Sequence, residues 1–273
     1  MGEHIRQLAR AKVNLTLHVG ALRSDGYHAV DSLVAFADIG DDLVFMPAQE
    51  TRLTIKGADN LPTDGSNLIL RAMKLIGAKP HHIALTKTLP VSAGLGGGSA
   101  NAAAVLRQFP NTLSKTDLAF NLGADIPVCL DSRTALMRGI GEEVSPVSGL
   151  GQLSAVLINP GVAVSTGAIF KAMDAEPREK SPRSSAKKGS LLSRSLAGSN
   201  DMQDFAIRQV PIIRDVLRAL AQQSGCELAR MSGSGATCFG IFRSDALAAE
   251  AARFVSAQYI DWWVQTCRLG DPV

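Results

Sequence analysis

The sequence predicts an α+β fold in which strands and helices pack around a glycine-rich loop. Several segments alternate apolar and polar residues with the period of a strand, led by residues 12–19. Others, above all residues 211–222, carry their apolar residues at helical spacing. The two kinds of segment do not follow a regular βαβ series, and the chain contains no internal repeat.

Residues 12–19 read as a half-buried strand, with Val13, Leu15, Leu17 and Val19 on one face and Lys12, Asn14, Thr16 and His18 on the other. Asp25-Gly26 signals a turn. Residues 33–39 and 43–46 read as two strands with Gly40-Asp41 between them, and residues 53–56 as a third that breaks at Gly57. A helix is expected over 67–76, with Leu68, Ala72 and Leu75 in register, followed by a strand over 83–88. The glycine-rich segment 92–99 leads into an Ala-rich helix over 100–109, stopped by Pro110. A short helix over 116–122 ends at Gly123. Residues 128–137 read as extended, and 155–158 as a short strand closed by Asn159-Pro160-Gly161. Residues 176–199 hold two prolines, many serines and several Lys/Arg, which predicts a loop or a poorly ordered segment. Beyond it come the 211–222 helix, a second glycine cluster at 231–235, a strand over 236–242 and a helix over 246–257.

With 273 residues and 46% apolar content, the chain can build one large core or two lobes. The net charge of +3 is ordinary, and no dense basic stripe marks a helix, so nucleic acid is not an expected partner. The basic stretch 178–194 is the one feature that would favour it, through a steep salt dependence of binding. The four cysteines form no C-x-x-C pair, which argues against a zinc site and for free thiols in a reducing compartment. The N-terminus lacks an apolar h-region and no apolar run is long enough for a membrane span. The expected location is the cytoplasm.

Segment 89–104 is the most informative. A strand leads in, glycines remove Cβ atoms so that backbone N–H groups can approach an anion, and a helix N-terminus leads out. Ser99 could cap that helix or reach a phosphate or a metal ion. The pattern predicts a polyphosphate cradle. It is not a Walker loop, which needs Gly-Lys-Ser/Thr. It is not a dinucleotide fingerprint either: Gly94 and Gly96 fit, but the third position falls on Ser99.

Pro90 and Gly94-Leu95-Gly96-Gly97-Gly98-Ser99, then Asn101-Ala102-Ala103, resemble the ATP-binding motif of the GHMP kinases. Ala11-Lys12-Val13-Asn14-Leu15 with Asp25-Gly26-Tyr27-His28, then Gly123-Ala124-Asp125-Ile126-Pro127, resemble the branch whose substrate is a cytidine-diphosphate-linked methylerythritol. So do Asn159-Pro160-Gly161, Asn200-Asp201 and Met231-Ser232-Gly233-Ser234-Gly235-Ala236, in the same order.

The resemblance implies a two-lobed GHMP kinase fold with the active site in the cleft between lobes, divided at about 1–150 and 151–273. It implies transfer of the γ-phosphate of ATP, with Mg2+, to the 2-hydroxyl of 4-diphosphocytidyl-2-C-methyl-D-erythritol in the non-mevalonate isoprenoid route. By the same resemblance, Asp125 is the catalytic base and Lys12 its partner, Asn14 binds the methylerythritol hydroxyls, and Tyr27 and Phe170 enclose the cytosine ring. His28 would meet the base edge, with Thr166 in the same pocket. The ATP contacts would come from Pro90, Ser92, Ala93, Gly94, Leu95, Gly96, Gly97, Gly98, Ser99, Ala100, Asn101 and Ala102. Asn67 and Lys87 are further candidates for the nucleotide side.

From the residues alone, Asp125 could equally be a turn or cap residue and Lys12 an exposed lysine. The alternatives are another GHMP small-molecule kinase, of homoserine or mevalonate type, and a non-catalytic nucleotide-binding protein. Two departures from the branch stand out: Ser99-Ala100 replaces a Ser-Ser pair, and the connection from Phe109 to Leu122 is short.

Overall fold

The computed structural model describes residues 4–109, 115–176 and 190–271. The first section comprises β1 (Ile5–Asn14), β2 (His18–Leu22), β3 (His28–Pro47), β4 (Arg52–Lys56), α1 (Leu68–Leu75), β5 (His81–Thr86), α2 (Gly97–Gln108), α3 (Lys115–Leu122), α4 (Ile126–Asp131), β6 (Ala135–Gly139) and β7 (Glu143–Pro146). The second comprises β8 (Gln152–Asn159), α5 (Thr166–Ala175), α6 (Leu191–Ala197), α7 (Gln203–Gln209), α8 (Ile212–Ala221), β9 (Cys226–Met231), β10 (Cys238–Phe242), α9 (Asp245–Gln258) and β11 (Trp263–Gly270).

The long β3 organises the first section. Its first half pairs with β2 and β6, its second half with β5, and β1 runs antiparallel along it from Asn14 opposite Val34 to Ile5 opposite Phe45. In the second section the order is β11-β8-β10-β9. The strands of the two sections pair at Leu269 with Ala37, and a separate bridge links Leu17 with Asn200. An apolar layer runs through that join, with Leu15, Leu33, Leu89 and Leu95 from one side and Leu157, Phe239 and Leu269 from the other. Two further cores lie under α1 and α2 and under α5, α8 and α9, the latter also taking in Leu17 and Val19 from the first section. The alanines of α2 are buried and bring that helix against β1. Among the described residues, no helix is long and apolar enough to cross a membrane. All four cysteines are free, and burial pushes the Cys129 thiol up to about 12.

Several sequence expectations are corrected. Residues 33–46 are not two strands with a turn: β3 runs unbroken through Gly40-Asp41. A Cβ at Gly40 would lie 2.1 Å from the Ala9 carbonyl oxygen, so the glycine serves close approach of β1. Residues 12–19 are not one half-buried strand. The ladder breaks at residues 15–17, and Lys12, Asn14, Thr16 and His18 are buried like their apolar neighbours. Residues 128–137 are not extended: α4 occupies their first part, with Pro127 in its first turn, where the missing N–H costs nothing. The helix expected over 100–109 starts earlier, because Gly96 adopts φ +62° and turns the chain directly into Gly97. β11 was not anticipated, although Trp263, Gln265, Cys267 and Leu269 alternate.

The expected loop at 176–199 contains α6, capped by Ser190, whose Oγ accepts from Ser193 N–H. The rest of that expectation, residues 177–189, lies outside the described residues, as do residues 110–114 of the short connection. Arg230 ties α6 to the site strand. Its buried guanidinium donates to the carbonyl oxygens of Leu15 (2.5 Å), Ser195 (2.7 Å) and Gly198 (2.6 Å). Burial without a carboxylate partner pulls its pKa down to about 10.

Candidate active site

β1 delivers Lys12 to a cleft of about 540 Å3, whose lining includes the glycine loop, Asp125, Thr166, Gly233 and Ser234, and Asn14 is buried two residues further along the strand. Lys12 Nζ lies 2.8 Å from Asp125 Oδ2, with the lysine side chain 4% exposed and the aspartate 41%. Asp125 stands at the N-cap position of α4, but its side chain makes no capping bond. Its carboxylate turns instead to Lys12, which answers the alternative of a plain cap residue. The buried ammonium gains a counter-charge, and one carboxylate edge remains open to the cleft.

The glycine loop is fixed to β1 by Lys12 N–H donating to Leu95 O at 2.9 Å. A Cβ on Gly96 would lie 3.2 Å from Lys12 Cβ and Cε, so the loop passes directly over the lysine stem. The first intrahelical bond of α2 runs from Ala100 N–H to Gly96 O. The preceding N–H groups of Gly97, Gly98 and Ser99 therefore form the helix N-terminus, the arrangement that binds anions. Ser99 lies inside this first turn and does not cap it; no side chain does. Ser92, at φ +53°, holds a conformation that non-glycine residues rarely adopt.

The two glycine clusters interlock. Ser232 Oγ donates to Gly94 O at 2.9 Å, and Thr237 N–H donates to Ala93 O at 3.2 Å. Asn14 N–H donates to the same Ser232 Oγ at 3.1 Å. Asn200 Nδ2 donates to Met231 O and Gly233 O, both at 2.8 Å, which fixes the second cluster. A Cβ on Gly94, at φ +73°, would lie 2.3 Å from Ser232 O. Gly94→Ala is therefore expected to cost about 2 kcal/mol or more and to weaken nucleotide binding. Melting curves with and without ATP would show a lower Tm and a smaller ATP-induced rise; an unchanged pair of curves would mean the loops do not depend on each other.

Residues 67–131 match the GHMP kinases N terminal domain and residues 183–261 match the GHMP kinases C terminal. The 4-diphosphocytidyl-2-C-methyl-D-erythritol kinase of Roseobacter denitrificans is 46% identical over 281 residues, which covers 98% of this chain and 94% of the relative. That of Parvibaculum lavamentivorans is 42% identical over 289 residues, covering 99% and 100%. The chain belongs to the 4-diphosphocytidyl-2-C-methyl-D-erythritol kinases, within the GHMP kinases. A crystal structure of 4-(cytidine 5'-diphospho)-2C-methyl-D-erythritol kinase matches with TM-score 0.80 and 30% identity over 98% of this chain and 100% of that one. A homoserine kinase from Cytophaga hutchinsonii matches with TM-score 0.70 at 21% identity over 99% and 96% of the two chains, a likeness of fold.

For a 4-diphosphocytidyl-2-C-methyl-D-erythritol kinase, the expected nucleotide residues divide in two. Pro90, Ser92, Ala93, Gly94, Gly96, Gly97, Gly98, Ser99 and Asn101 line the cleft. Leu95, Ala100 and Ala102 turn their side chains into the core, so only their backbone shapes the loop. Asn67 caps α1, its side chain accepting from Ile69 N–H, and also lines the cleft. Thr166 lines it too and hydrogen-bonds Ser234, Oγ to Oγ 2.7 Å. Asn14 donates to Ser32 Oγ at 2.8 Å, while its buried Oδ1 has no partner and lies near Gly233 at the cleft wall. That orphaned acceptor suits a ligand hydroxyl.

Tyr27, His28 and Phe170 stand outside the lining of this main cleft. Tyr27 is 59% exposed on the turn after β2. The ring stacked on Phe170 is that of His28, with centroids 4.8 Å apart and planes 6° apart.

The sequence reading missed Asp41. This fully buried carboxylate accepts from Thr88 N–H and Leu89 N–H, each at 2.9 Å, and from Lys87 Nζ at 2.7 Å. Lys87 Nζ also donates to Leu89 O at 2.7 Å and lies 3.2 Å from where a Cβ on Gly97 would stand. Asp41 thus anchors the start of the glycine loop. Its signal, Gly40-Asp41, resembles a turn dipeptide.

Proposed function

We propose that the chain transfers the γ-phosphate of ATP to the 2-hydroxyl of 4-diphosphocytidyl-2-C-methyl-D-erythritol, with Lys12 and Asp125 at the reacting hydroxyl. The Lys12–Asp125 pair, facing the N-terminus of α2 across one cleft, carries this reading. The N–H groups of Gly97, Gly98 and Ser99 hold the transferring phosphates. Asp125 takes the hydroxyl proton through its open edge, and Lys12 steadies the negative charge on the attacking oxygen. Asn14 Oδ1 accepts from a methylerythritol hydroxyl and orients it for in-line attack. The base docks at Tyr27, His28 and Phe170, whose rings suit a flat heterocycle.

Mg2+ fits this cleft beside the helix N-terminus, where Ser99 lines it. Such an ion needs few protein ligands when the nucleotide brings its own phosphate oxygens. When bound, it neutralises charge on the β- and γ-phosphates. We take residues 1–150 and 151–273 as the two lobes, a division supported by the separate strand run β11-β8-β10-β9 in the second part.

Purified protein with Mg-ATP would be offered 4-diphosphocytidyl-2-C-methyl-D-erythritol, homoserine and mevalonate in parallel. ADP release is expected with the cytidine substrate alone. Turnover of homoserine or mevalonate without the cytidine substrate would overturn the assignment.

A further inference from the structure

We propose that Glu142 is a positioning residue for the reaction: it shapes the turn between β6 and β7, and that turn props the corner of the chain from which Asp125 reaches the cleft. The inference rests on the reading above, in which Asp125 takes the hydroxyl proton.

The segment around Asp125 does little to hold it. Asp125 stands before the six-residue α4, and its side chain caps nothing. Ala124 and Asp125 form the corner of a tight turn, closed by Ile126 N–H donating to Gly123 O at 3.0 Å. Pro127 follows in the first turn of α4 and has no N–H with which to add a bond. A helix this short adds little stability of its own. Buried Ile126, Val128 and Cys129 anchor the body of α4, whereas Ala124 at the corner is exposed.

The β6–β7 turn, residues 139–142, supplies the support. Gly141, buried and at φ +121°, lies directly against the corner: a Cβ there would stand 2.3 Å from Ala124 O and 3.1 Å from Ala124 Cβ. Two bonds give the turn the shape that presents this bare Cα. Gly141 N–H donates to Arg138 O at 3.0 Å, and the Glu142 carboxylate folds back to accept from Ile140 N–H. That carboxylate fills the space over Gly139, where a Cβ would lie 2.3 Å from Glu142 Oε2. Arg138 and Glu143 face each other at the base of the turn, so the strands fix where the tip lies and Glu142 fixes its form. Glu142 lines a separate cavity and stands outside the lining of the main cleft, so it acts through the turn. A shift of the tip passes to Ala124 O and on to the adjoining Asp125. Misplacing a reacting group by about 1 Å costs about 10²-fold in rate.

Glu142→Ala, Glu142→Gln and Gly141→Ala in the full-length protein test this, each alone and combined with Asp125→Asn. Steady-state rates with both substrates varied would be measured beside hydrogen exchange of peptides spanning 122–129 and 92–104. Glu142→Ala is expected to lower kcat roughly tenfold and Gly141→Ala roughly 10²-fold. KM for ATP should stay within about twofold in both. Glutamine offers Ile140 N–H the same kind of acceptor oxygen, so Glu142→Gln should keep kcat within about threefold of wild type. Exchange over 122–129 should quicken in Glu142→Ala while the glycine-loop peptide is unchanged. Beside Asp125→Asn, Glu142→Ala should lower the residual kcat by less than about twofold, because the group it positions is already gone. Equal losses in the two backgrounds would overturn the inference and mark a merely structural contact. So would a glutamine variant as slow as the alanine one, or unchanged exchange over 122–129 in Glu142→Ala. Should Asp125→Asn alone keep the wild-type rate, the reading of Asp125 as the base fails, while the exchange data still decide whether Glu142 holds the corner.

Discussion

Asp125→Asn is expected to lower kcat by about 10²–10⁴-fold, the usual worth of a positioned base, with KM for ATP little changed. Asparagine fits the same space and can still accept a hydrogen bond from Lys12 Nζ, so the cleft keeps its shape. It cannot take a proton, and it leaves a lysine side chain that is 4% exposed without its counter-charge. The reacting hydroxyl then keeps its proton as phosphoryl transfer begins. Steady-state rates with both substrates varied would check this. A kcat within about threefold of wild type would mean that charge stabilisation by Lys12 and the loop suffices, since phosphoryl transfer passes through a loose transition state.

The largest effect on stability is expected at Asp41. Asp41→Ala removes the partner of a buried lysine and the acceptor for two backbone N–H groups at once. Breaking a buried ion pair from one side costs about 3–5 kcal/mol, which lowers Tm by roughly 10 °C in a chain of this size. Asp41→Asn retains an acceptor for Thr88 and Leu89 and should lose less. The double variant Asp41→Leu with Lys87→Met should recover much of the loss, because no unpaired charge remains. Urea melts of the three proteins would decide. A double variant as unstable as Asp41→Ala would place the cost in the two backbone bonds instead.

Much of the first section was legible because the residues that matter there are local. Gly94 to Ser99 announce a cradle by composition, and the cap of α1 at Asn67 follows from residue type. The errors share one physical cause, which is that tertiary contact overrides local preference. Gly40-Asp41 resembles a turn until β1 lies across it and Lys87 reaches the carboxylate. Residues 128–137 resemble a strand because a buried helix and a buried strand have the same apolar run. Leu95, Ala100 and Ala102 belong to the loop motif, yet their side chains serve the core. Arg230 carried no signal, since its partners, the carbonyls of Leu15, Ser195 and Gly198, lie far away in the chain.

The bond from Ser232 Oγ to Gly94 O spans 138 positions of the chain. With Asn14 sharing the same hydroxyl, three distant segments settle one another's geometry. Such segments lose mutational independence: substitutions at 14, 94 and 232 should combine non-additively, each altering what the others tolerate. The smallness of residue 94 is a demand set by the far loop, so during sequence divergence the two glycine clusters can drift only together.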